Sequence, residues 1–336
     1  MLTKEATKTD LSQKIDEVLS DLLKINIEQS KAIGISYERL WQELERLVLS
    51  GGKRTRPKIM LLTYRAFGGS SSKGVLEIAA AMELFHQFLL IHDDIIDRDF
   101  VRYGVLNIAG AYKDIYKGMI ENENDRIHHA NGATMLGGNL LLGGAHKLIN
   151  DADIDIEDKL RVGEMLYQAH FEVGGGELLD IESAFKYMNP EEALSVARYK
   201  TAGYSFIMPV VIGAILAGAP ETTIKKLSEF AENLGKAFQL NDDLLGMFGE
   251  QHETGKSNST DLLEGKGTYL VATFFESSSA SQQETFRLAF ANAKANDDEI
   301  RTAKDLLIES GARSKTEDKI REFESAAISA LDSLNL

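Results

Sequence analysis

The chain has no cysteine, four prolines and one tryptophan among its 336 residues. The absence of cysteine excludes a disulfide framework, a thiolate nucleophile and a zinc site built on cysteine. The scarcity of proline leaves long stretches in which helices can run without interruption. Turn pairs of the Asn-Gly or Asp-Gly type between alternating apolar residues are also scarce, which argues against a β-sandwich.

Positive charge is in the minority, since 37 Lys and Arg oppose 52 Asp and Glu for a formal charge of −15. This balance disfavours a nucleic-acid surface and suits acidic sites that recruit metal ions. The N-terminus lacks the apolar core of a signal peptide. The longest strongly apolar stretch, 207–219, has 13 residues, fewer than the about 20 that span a bilayer. We therefore expect a cytoplasmic protein without a transmembrane segment.

Helical periodicity recurs along the chain, and apolar residues make up 43% of it, enough for a sizeable core. The pattern predicts helices over 11–31, 191–218 and 222–250, and two or three more amphipathic helices over 280–336. No strand, repeat or linker is evident. We predict an all-α protein of about a dozen helices, with residues 1–336 forming a single domain.

Smaller features of this pattern also carry predictions. Ser36 is a candidate N-cap for the second helix. Residues 118–130 are polar and irregular, which predicts a surface excursion. The excursion contains His128 and His129, but adjacent histidines point to different sides of a helix, so a metal role is disfavoured. Three consecutive glycines at 174–176 predict a kink or a close approach of another backbone.

Residues 83–102 combine an apolar run with several aspartates and are the strongest candidate for a functional segment. Four apolar residues, 88–91, lead into Asp93, Asp94 and Asp97. In a helix, Asp93 and Asp97 share a face. Hard oxygen ligands without His or Cys suit Mg²⁺, which takes one or two carboxylates together with waters and phosphates. An acidic pair on a solvated surface is the alternative, but the apolar run before it favours a cleft.

Cations and a second acidic cluster occur elsewhere. Lys53, Arg54 and Arg56 precede a helix whose first turn suits Pro57, and a helix N-terminus favours anions. This arrangement predicts a diphosphate site, with an ordinary solvated basic loop as the alternative. Asp242 and Asp243 follow a second apolar run. Together the clusters predict a cavity with metal ions and diphosphates at its mouth and an apolar depth.

The ordered set of motifs over residues 36–275 resembles trans-isoprenyl diphosphate synthases of the farnesyl/geranylgeranyl type, in the polyprenyl synthetase family. The motifs are GGKRTRP at 51–57, HDDIID at 92–97, Arg102, KTA at 200–202, FQLNDD at 238–243, and the lysines of TGK and EGK. The resemblance implies an all-α homodimer with a deep central cavity. It also implies a Mg²⁺-dependent prenyltransferase that condenses isopentenyl diphosphate with an allylic diphosphate by ionisation, condensation and elimination.

The resemblance also implies roles for individual residues. Three Mg²⁺ ions per active site are expected, held by Asp93, Asp94, Asp97, Asp242 and Asp243. The allylic diphosphate is expected at Arg102, Lys200, Lys256 and Lys266, and the diphosphate of isopentenyl diphosphate at Gly52, Lys53 and Arg56. Lys200, Thr201 and Gln239 are the expected catalytic residues, the last two as weak dipoles near the allylic cation.

Four positions depart from the family pattern. Tyr103 replaces a second arginine after Arg102, which puts the affinity for isopentenyl diphosphate in doubt. Gly246 stands where a third aspartate is common, Asn139 where the family has aspartate, and Glu177 where it has glutamine. These departures leave two rivals open. One is a class I terpene cyclase of the same fold, and the other is a non-catalytic subunit of a heteromeric synthase.

Two phenylalanines upstream of the first aspartates are candidates for setting product length. Phe88 lies five positions before Asp93 and Phe85 eight, or about 7.5 and 12 Å along a helix axis. Both lie near one face. A floor at that depth fits a farnesyl or geranylgeranyl chain, and the resemblance places chain-length control at the same positions. The alternative is that both are ordinary core residues.

Overall fold

Long helices separated by short turns make up the structure, a computed structural model that describes residues 4–70, 72–102, 104–249 and 259–334. This confirms the predicted all-α fold class. Contacts divide the chain into two compact units, residues 1–163 and 164–336. The prediction of a single domain stays a prediction.

The first unit is built mainly on helices α1 to α6. The most apolar of them, α4, is capped by the Ser72 side chain, which accepts a hydrogen bond from the Val75 backbone N–H. It packs against α6, and Gly138 allows the close approach, since a Cβ there would lie 2.5 Å from the His92 ring. The elements of this unit are α1 (Lys4–Ser30), α2 (Ile35–Leu49), α3 (Thr55–Ala66), α4 (Lys73–Ile96), β1 (Val101–Arg102), β2 (Val105–Leu106), α5 (Ile108–Tyr116), α6 (Glu123–Asp151) and the start of α7 (Ile156–Ser183).

The second unit contains the rest of α7 and a series of helices around α10. This long helix packs against a π-helix and the last helix of the chain. The elements are α8 (Pro190–Val196), the π-helix (Ala197–Ile207), α9 (Met208–Leu216), α10 (Glu221–Phe248), α11 (Thr260–Glu264), α12 (Tyr269–Ser277), α13 (Ala280–Phe286), α14 (Asp297–Glu309) and α15 (Ala312–Asp332). The helices predicted over 222–250 and 280–336 are thereby confirmed.

Three local predictions were wrong. A two-residue antiparallel hairpin pairs Arg102 with Val105, although no strand was expected. Gly34, not Ser36, precedes the first residue of α2. Most of residues 118–130 lie at the surface as expected, but the segment is not irregular throughout. It is helical from Glu123 onward, because Asn122 caps α6 and the helix dipole favours acidic residues in a first turn.

Among the described residues, two helical segments are long and apolar enough to pass a length and composition test for membrane spans, Lys73–Ile96 and Pro190–Leu216. Both exceed the 13-residue stretch considered from the sequence. Their most apolar windows are 72% and 78% buried inside the protein. Helices in the core of a protein also pass this test, and the high burial indicates that these two segments are core helices.

Arg54 fixes the loop between α2 and α3. It has a left-handed backbone (φ 48°) at the start of α3 and is 3% exposed. Its guanidinium donates to Asp16 Oδ1 at 2.8 Å, to Glu83 Oε1 at 2.9 Å and to the Val48 carbonyl at 2.6 Å. Arg54 is therefore a structural residue that ties α1, α2 and α4 together. The prediction that it faces a diphosphate with its two cationic neighbours is wrong.

We predict that Arg54→Met lowers the free energy of unfolding by about 3–5 kcal/mol, because it leaves the Glu83 carboxylate buried without a positively charged partner. Urea denaturation measures this change. Arg321→Met, which breaks an exposed pair with Asp318, is the control and costs less than about 1 kcal/mol. Equal urea midpoints for the two variants would contradict the structural role.

Candidate active site

The first aspartates lie at the end of α4. Asp93 and Asp94 are in its last turn, and Asp97 is the C-cap residue, with its backbone N–H 2.8 Å from the Asp93 carbonyl. The helical relation predicted for Asp93 and Asp97 is thus present. Asp94 is buried, Asp93 is partly buried and Asp97 is exposed. The three aspartates at the end of this buried helix therefore differ in exposure, from the buried Asp94 to the exposed Asp97.

Arg102 is brought to these aspartates by the hairpin. Its Nε donates to Asp94 Oδ1 at 2.8 Å, and its Nη2 lies 2.7 Å from the same oxygen and 3.1 Å from Asp93 Oδ2. Burial raises the pKa of Asp94, and hydrogen bonds from Arg102 and Asn107 oppose that rise. The Asn107 side chain also donates to the Asp99 carbonyl and accepts from the Gly110 N–H, both at 2.8 Å. Asn107 therefore holds the turn that presents Arg102.

A histidine overlooked in the sequence joins this group. His86 lies on α4, and its pKa is well below the usual value because of burial and because of the positive charges of Arg56 and Arg102. The imidazole is therefore neutral near two of the predicted diphosphate ligands. The available signal was its spacing: seven residues, or two helical turns, before Asp93 place both on one face. Gly52 and Lys53 of the same basic loop are exposed.

The second unit places Lys200 on the π-helix against two carboxylates of α7. Lys200 Nζ lies 3.0 Å from Glu177 Oε2 and 2.6 Å from Asp180 Oδ2. Glu177 is one of the departures from the family pattern, and here it is an ion-pair partner of the predicted lysine. Asp180 was not considered in the sequence, although it follows Glu177 by three residues on the same helical face.

Thr201 and Gln239 form a hydrogen-bonded chain that leads to Asp243. Thr201 Oγ1 donates to Gln239 Oε1 at 2.6 Å, and Gln239 Nε2 donates to Asp243 Oδ1 at 2.8 Å. Removal from water raises the pKa of Asp243 to about 8; the Gln239 hydrogen bond opposes the rise, and the charges of Asp261, Asp242 and Asp180 add to it. The structure thus brings together three of the predicted residues, with Asp242 exposed beside them.

Gly246 has a steric explanation. A Cβ at this position would lie 2.3 Å from Asp261 Oδ2, so the Asp261 carboxylate occupies the space of a side chain there. Asp261 also lies 3.4 Å from Lys266 Nζ, which pairs with Glu264 at 3.3 Å. Lys256, a predicted diphosphate ligand, and Tyr103, a departure from the family pattern, lie outside the described residues.

Phe85 and Phe88 are both buried, with 0% and 4% exposure. Their ring centroids are 5.8 Å apart, and the Phe88 ring meets the His92 ring at 4.6 Å. The three rings form a row of aromatic contacts on α4, and the two phenylalanines lie upstream of the aspartates.

The acidic donor sets fit Mg²⁺ by ligand type. Among the described residues, no three Asp, Glu or His side chains converge closely enough to enclose an ion. Mg²⁺ is typically held by one or two carboxylates, with waters and substrate phosphates completing its shell. Asp93 with Asp94, and Asp242 with Asp243, can each supply such a partial set.

We predict that the stability of the metal-free protein falls as pH rises through the window from about 4 to about 8. Asp243 has an ordinary pKa of 3.8 and a folded-state pKa of about 8, so across this window the folded state holds a proton that the unfolded chain has lost. Asp243→Asn cannot ionise and keeps its stability. In a chelating buffer, the thermal midpoint of the wild type should drop relative to that of Asp243→Asn between these pH values.

Asp298→Asn, at an exposed position on α14, is the matched control for the Asp243 substitution and should follow the wild type at every pH. A gap between wild type and Asp243→Asn that does not change with pH would show that Asp243 does not titrate in this window.

Comparisons with known proteins agree with this geometry. The model of the polyprenyl synthetase family matches residues 38–307. A geranylfarnesyl diphosphate synthase from Aeropyrum pernix is 32% identical over 297 residues, covering 87% of this chain and 86% of that protein. A farnesyl diphosphate synthase from Geobacillus stearothermophilus is 32% identical over 273 residues, covering 79% and 80%. The crystal structure of geranylgeranyl pyrophosphate synthase from Corynebacterium glutamicum, complexed with isoprenyl diphosphate and magnesium, superposes with a TM-score of 0.85 at 30% identity, covering 95% of this chain and 92% of that one. The chain belongs to the polyprenyl synthetase family.

Proposed function

We propose that this chain is a Mg²⁺-dependent prenyl diphosphate synthase that condenses isopentenyl diphosphate with an allylic diphosphate. The observation that carries the proposal is the group at the end of α4, where Arg102 bridges Asp93 and Asp94. A buried apolar helix that ends in carboxylates and an arginine can bind a metal-diphosphate head group beside a prenyl chain.

The first unit supplies ligands for both diphosphates. Asp93, Asp94 and Asp97 hold Mg²⁺ at the allylic diphosphate, and Arg102 neutralises its charge. Gly52, Lys53 and Arg56 bind isopentenyl diphosphate, with neutral His86 able to donate a hydrogen bond beside them. Metal bound here stabilises the negative charge that develops on the leaving diphosphate.

Further residues are proposed to take part in ionisation. Lys200, Lys256 and Lys266 neutralise the leaving diphosphate, and Asp242 and Asp243 hold a third Mg²⁺. Thr201 and Gln239 present oxygen dipoles towards the allylic cation. Their mutual hydrogen bond fixes the direction of those dipoles before the reaction begins, so no reorganisation is needed as charge develops.

The bond changes balance within the two substrates. The allylic C–O bond breaks, and its electron pair leaves with the diphosphate. The alkene of isopentenyl diphosphate then attacks the allylic cation, and the new cation loses a proton to the departed diphosphate. Protein side chains orient the substrates and exclude water throughout, which prevents capture of the cation by hydroxide or water.

A homodimer is part of this proposal. Tyr167, Phe171 and Leu178 on α7 are each more than half exposed. They follow one another at intervals of four and seven residues, the spacing of a helix that packs against another helix. Exposed apolar stripes of this kind mark protein interfaces, and a second copy of the chain is the proposed occupant. We also propose a cytoplasmic location, where water-soluble diphosphate substrates are accessible.

We predict that the purified protein with Mg²⁺ elongates an allylic diphosphate with isopentenyl diphosphate. Asp93→Asn and Asp94→Asn should each lose about 100-fold or more in turnover, because a neutral amide is a poor ligand for a hard cation and stabilises less charge. Product analysis by chromatography measures this, with Asp298→Asn as the matched control.

The same assay separates the rivals. A diphosphate-free hydrocarbon would identify a terpene cyclase, and no turnover would identify a non-catalytic subunit. Full activity in both aspartate variants would contradict the role of α4.

We predict that Phe88→Ala, or Phe85→Ala if the first is insufficient, shifts the products towards longer chains, because each ring is buried on α4 and large enough to close a channel. Chromatography of products from the two single variants and the double variant measures the shift. Unchanged product length in all three would show that the two rings are core residues and that the floor lies elsewhere.

A further inference from the structure

The π-helix is the least expected feature of the second unit. It runs for 11 residues, Ala197–Ile207, although π-helices mostly occur as single-turn bulges and are often found at functional sites. Lys200 and Thr201 lie in its middle. Their side chains reach different helices, Lys200 to Glu177 and Asp180 on α7 and Thr201 to Gln239 on α10.

Two glycines let the π-helix lie close to both of those helices. A Cβ at Gly176 of α7 would lie 2.3 Å from the Lys200 backbone nitrogen, and a Cβ at Gly235 of α10 would lie 2.7 Å from Ala202 Cα. The close approach predicted for the glycine run at 174–176 is thereby confirmed. Such contacts set the distance between the backbones but leave rotation and sliding of the π-helix open.

Arg198 restricts the rotation and sliding of the π-helix through ion pairs with two other helices. Its Nη1 lies 2.8 Å from Glu172 Oε2 on α7, and its Nε lies 3.0 Å from Glu232 Oε2 on α10. Glu232 is held in turn by Lys236 at 2.6 Å. The Arg198 side chain is only 20% exposed, so these pairs are screened less than surface pairs. Gly203 leaves room for them, since a Cβ there would lie 2.8 Å from Glu172 Oε2.

We propose that Arg198 is a positioning residue that sets the register of the π-helix and thereby aims Lys200 and Thr201. Arg198 precedes Lys200 by two positions and Thr201 by three. It forms ion pairs with α7 and α10, the same two helices that carry the partners of Lys200 and Thr201. Sliding or rotation of the π-helix would move Lys200 and Thr201 together. The inference rests on the proposed function of these two residues in binding and ionising the allylic diphosphate.

The test compares Arg198→Met, Arg198→Lys and the control Arg301→Met, which breaks an exposed pair with Asp298 on α14. A misplacement of catalytic groups by about 1 Å can cost 100-fold in rate, so we expect Arg198→Met to lower kcat/KM for the allylic diphosphate by about 10- to 100-fold. Its KM for that substrate rises, while the KM for isopentenyl diphosphate stays within about twofold of the wild type because its ligands lie on the first unit. Arg198→Lys keeps the positive charge and should recover part of the lost kcat/KM.

A double-mutant cycle shows whether Arg198 acts through its neighbours. In a Lys200→Met, Thr201→Ala background, Arg198→Met should cost less than about threefold, because the residues it aims are absent. The full loss in that background would overturn the proposal. So would a fall in kcat in proportion to a fall in thermal midpoint, with both KM values unchanged, since that pattern reports only a smaller folded fraction.

Wild-type turnover keeps the two hypotheses apart. An active wild type with an unaffected Arg198→Met variant overturns only the positioning role, whereas an inactive wild type overturns the proposed function and this inference with it.

Discussion

The buried carboxylate of Asp94 is the constraint on which the first unit depends. A charged group at the end of an apolar helix is costly unless it is paired and hydrogen-bonded. Arg102 and Asn107 meet that requirement, and both lie on the segment that leaves α4 and turns back. The hairpin of β1 and β2, the buried Asn107 and the start of α5 therefore follow from the need to return an arginine to the helix end.

The second unit solves the same problem differently. Asp243 has no arginine partner among its contacts in the described residues; it receives the Gln239 hydrogen bond instead, and its pKa is raised. The cation of this region, Lys200, pairs with Glu177 and Asp180 on α7. Asp243 thus keeps its proton to a higher pH than an ordinary aspartate, and a divalent cation would displace that proton on binding.

Sequence reasoning could predict most of the helices and the shared face of the first aspartates because both are carried by local patterns. Apolar periodicity predicts α10, and the spacing of Asp93 and Asp97 predicts their shared face. It could not predict Arg54, whose charge suggested a ligand contact but whose left-handed backbone turns it into the core. Nor could it predict the π-helix, since residues 191–218 have the apolar pattern of an ordinary helix and the close contacts of this segment are with Gly176 and Gly235 on other helices. His86 was overlooked because its role depends on arginines that are distant in sequence.

Two of the four departures from the family pattern are explained by the pairing of charges. Glu177 replaces a neutral amide and gives Lys200 a second carboxylate, while Gly246 leaves space for Asp261, which lies near Lys266. In each case a predicted diphosphate ligand is held by acidic side chains before substrate arrives, as Arg102 is held by Asp93 and Asp94. If these residues bind a metal-diphosphate complex as proposed, the metal would take over the carboxylates and the diphosphate would take over the cations. Such an exchange would give each buried charge a new partner, and it would couple metal affinity to diphosphate affinity because the two ligands release the two members of the same ion pairs.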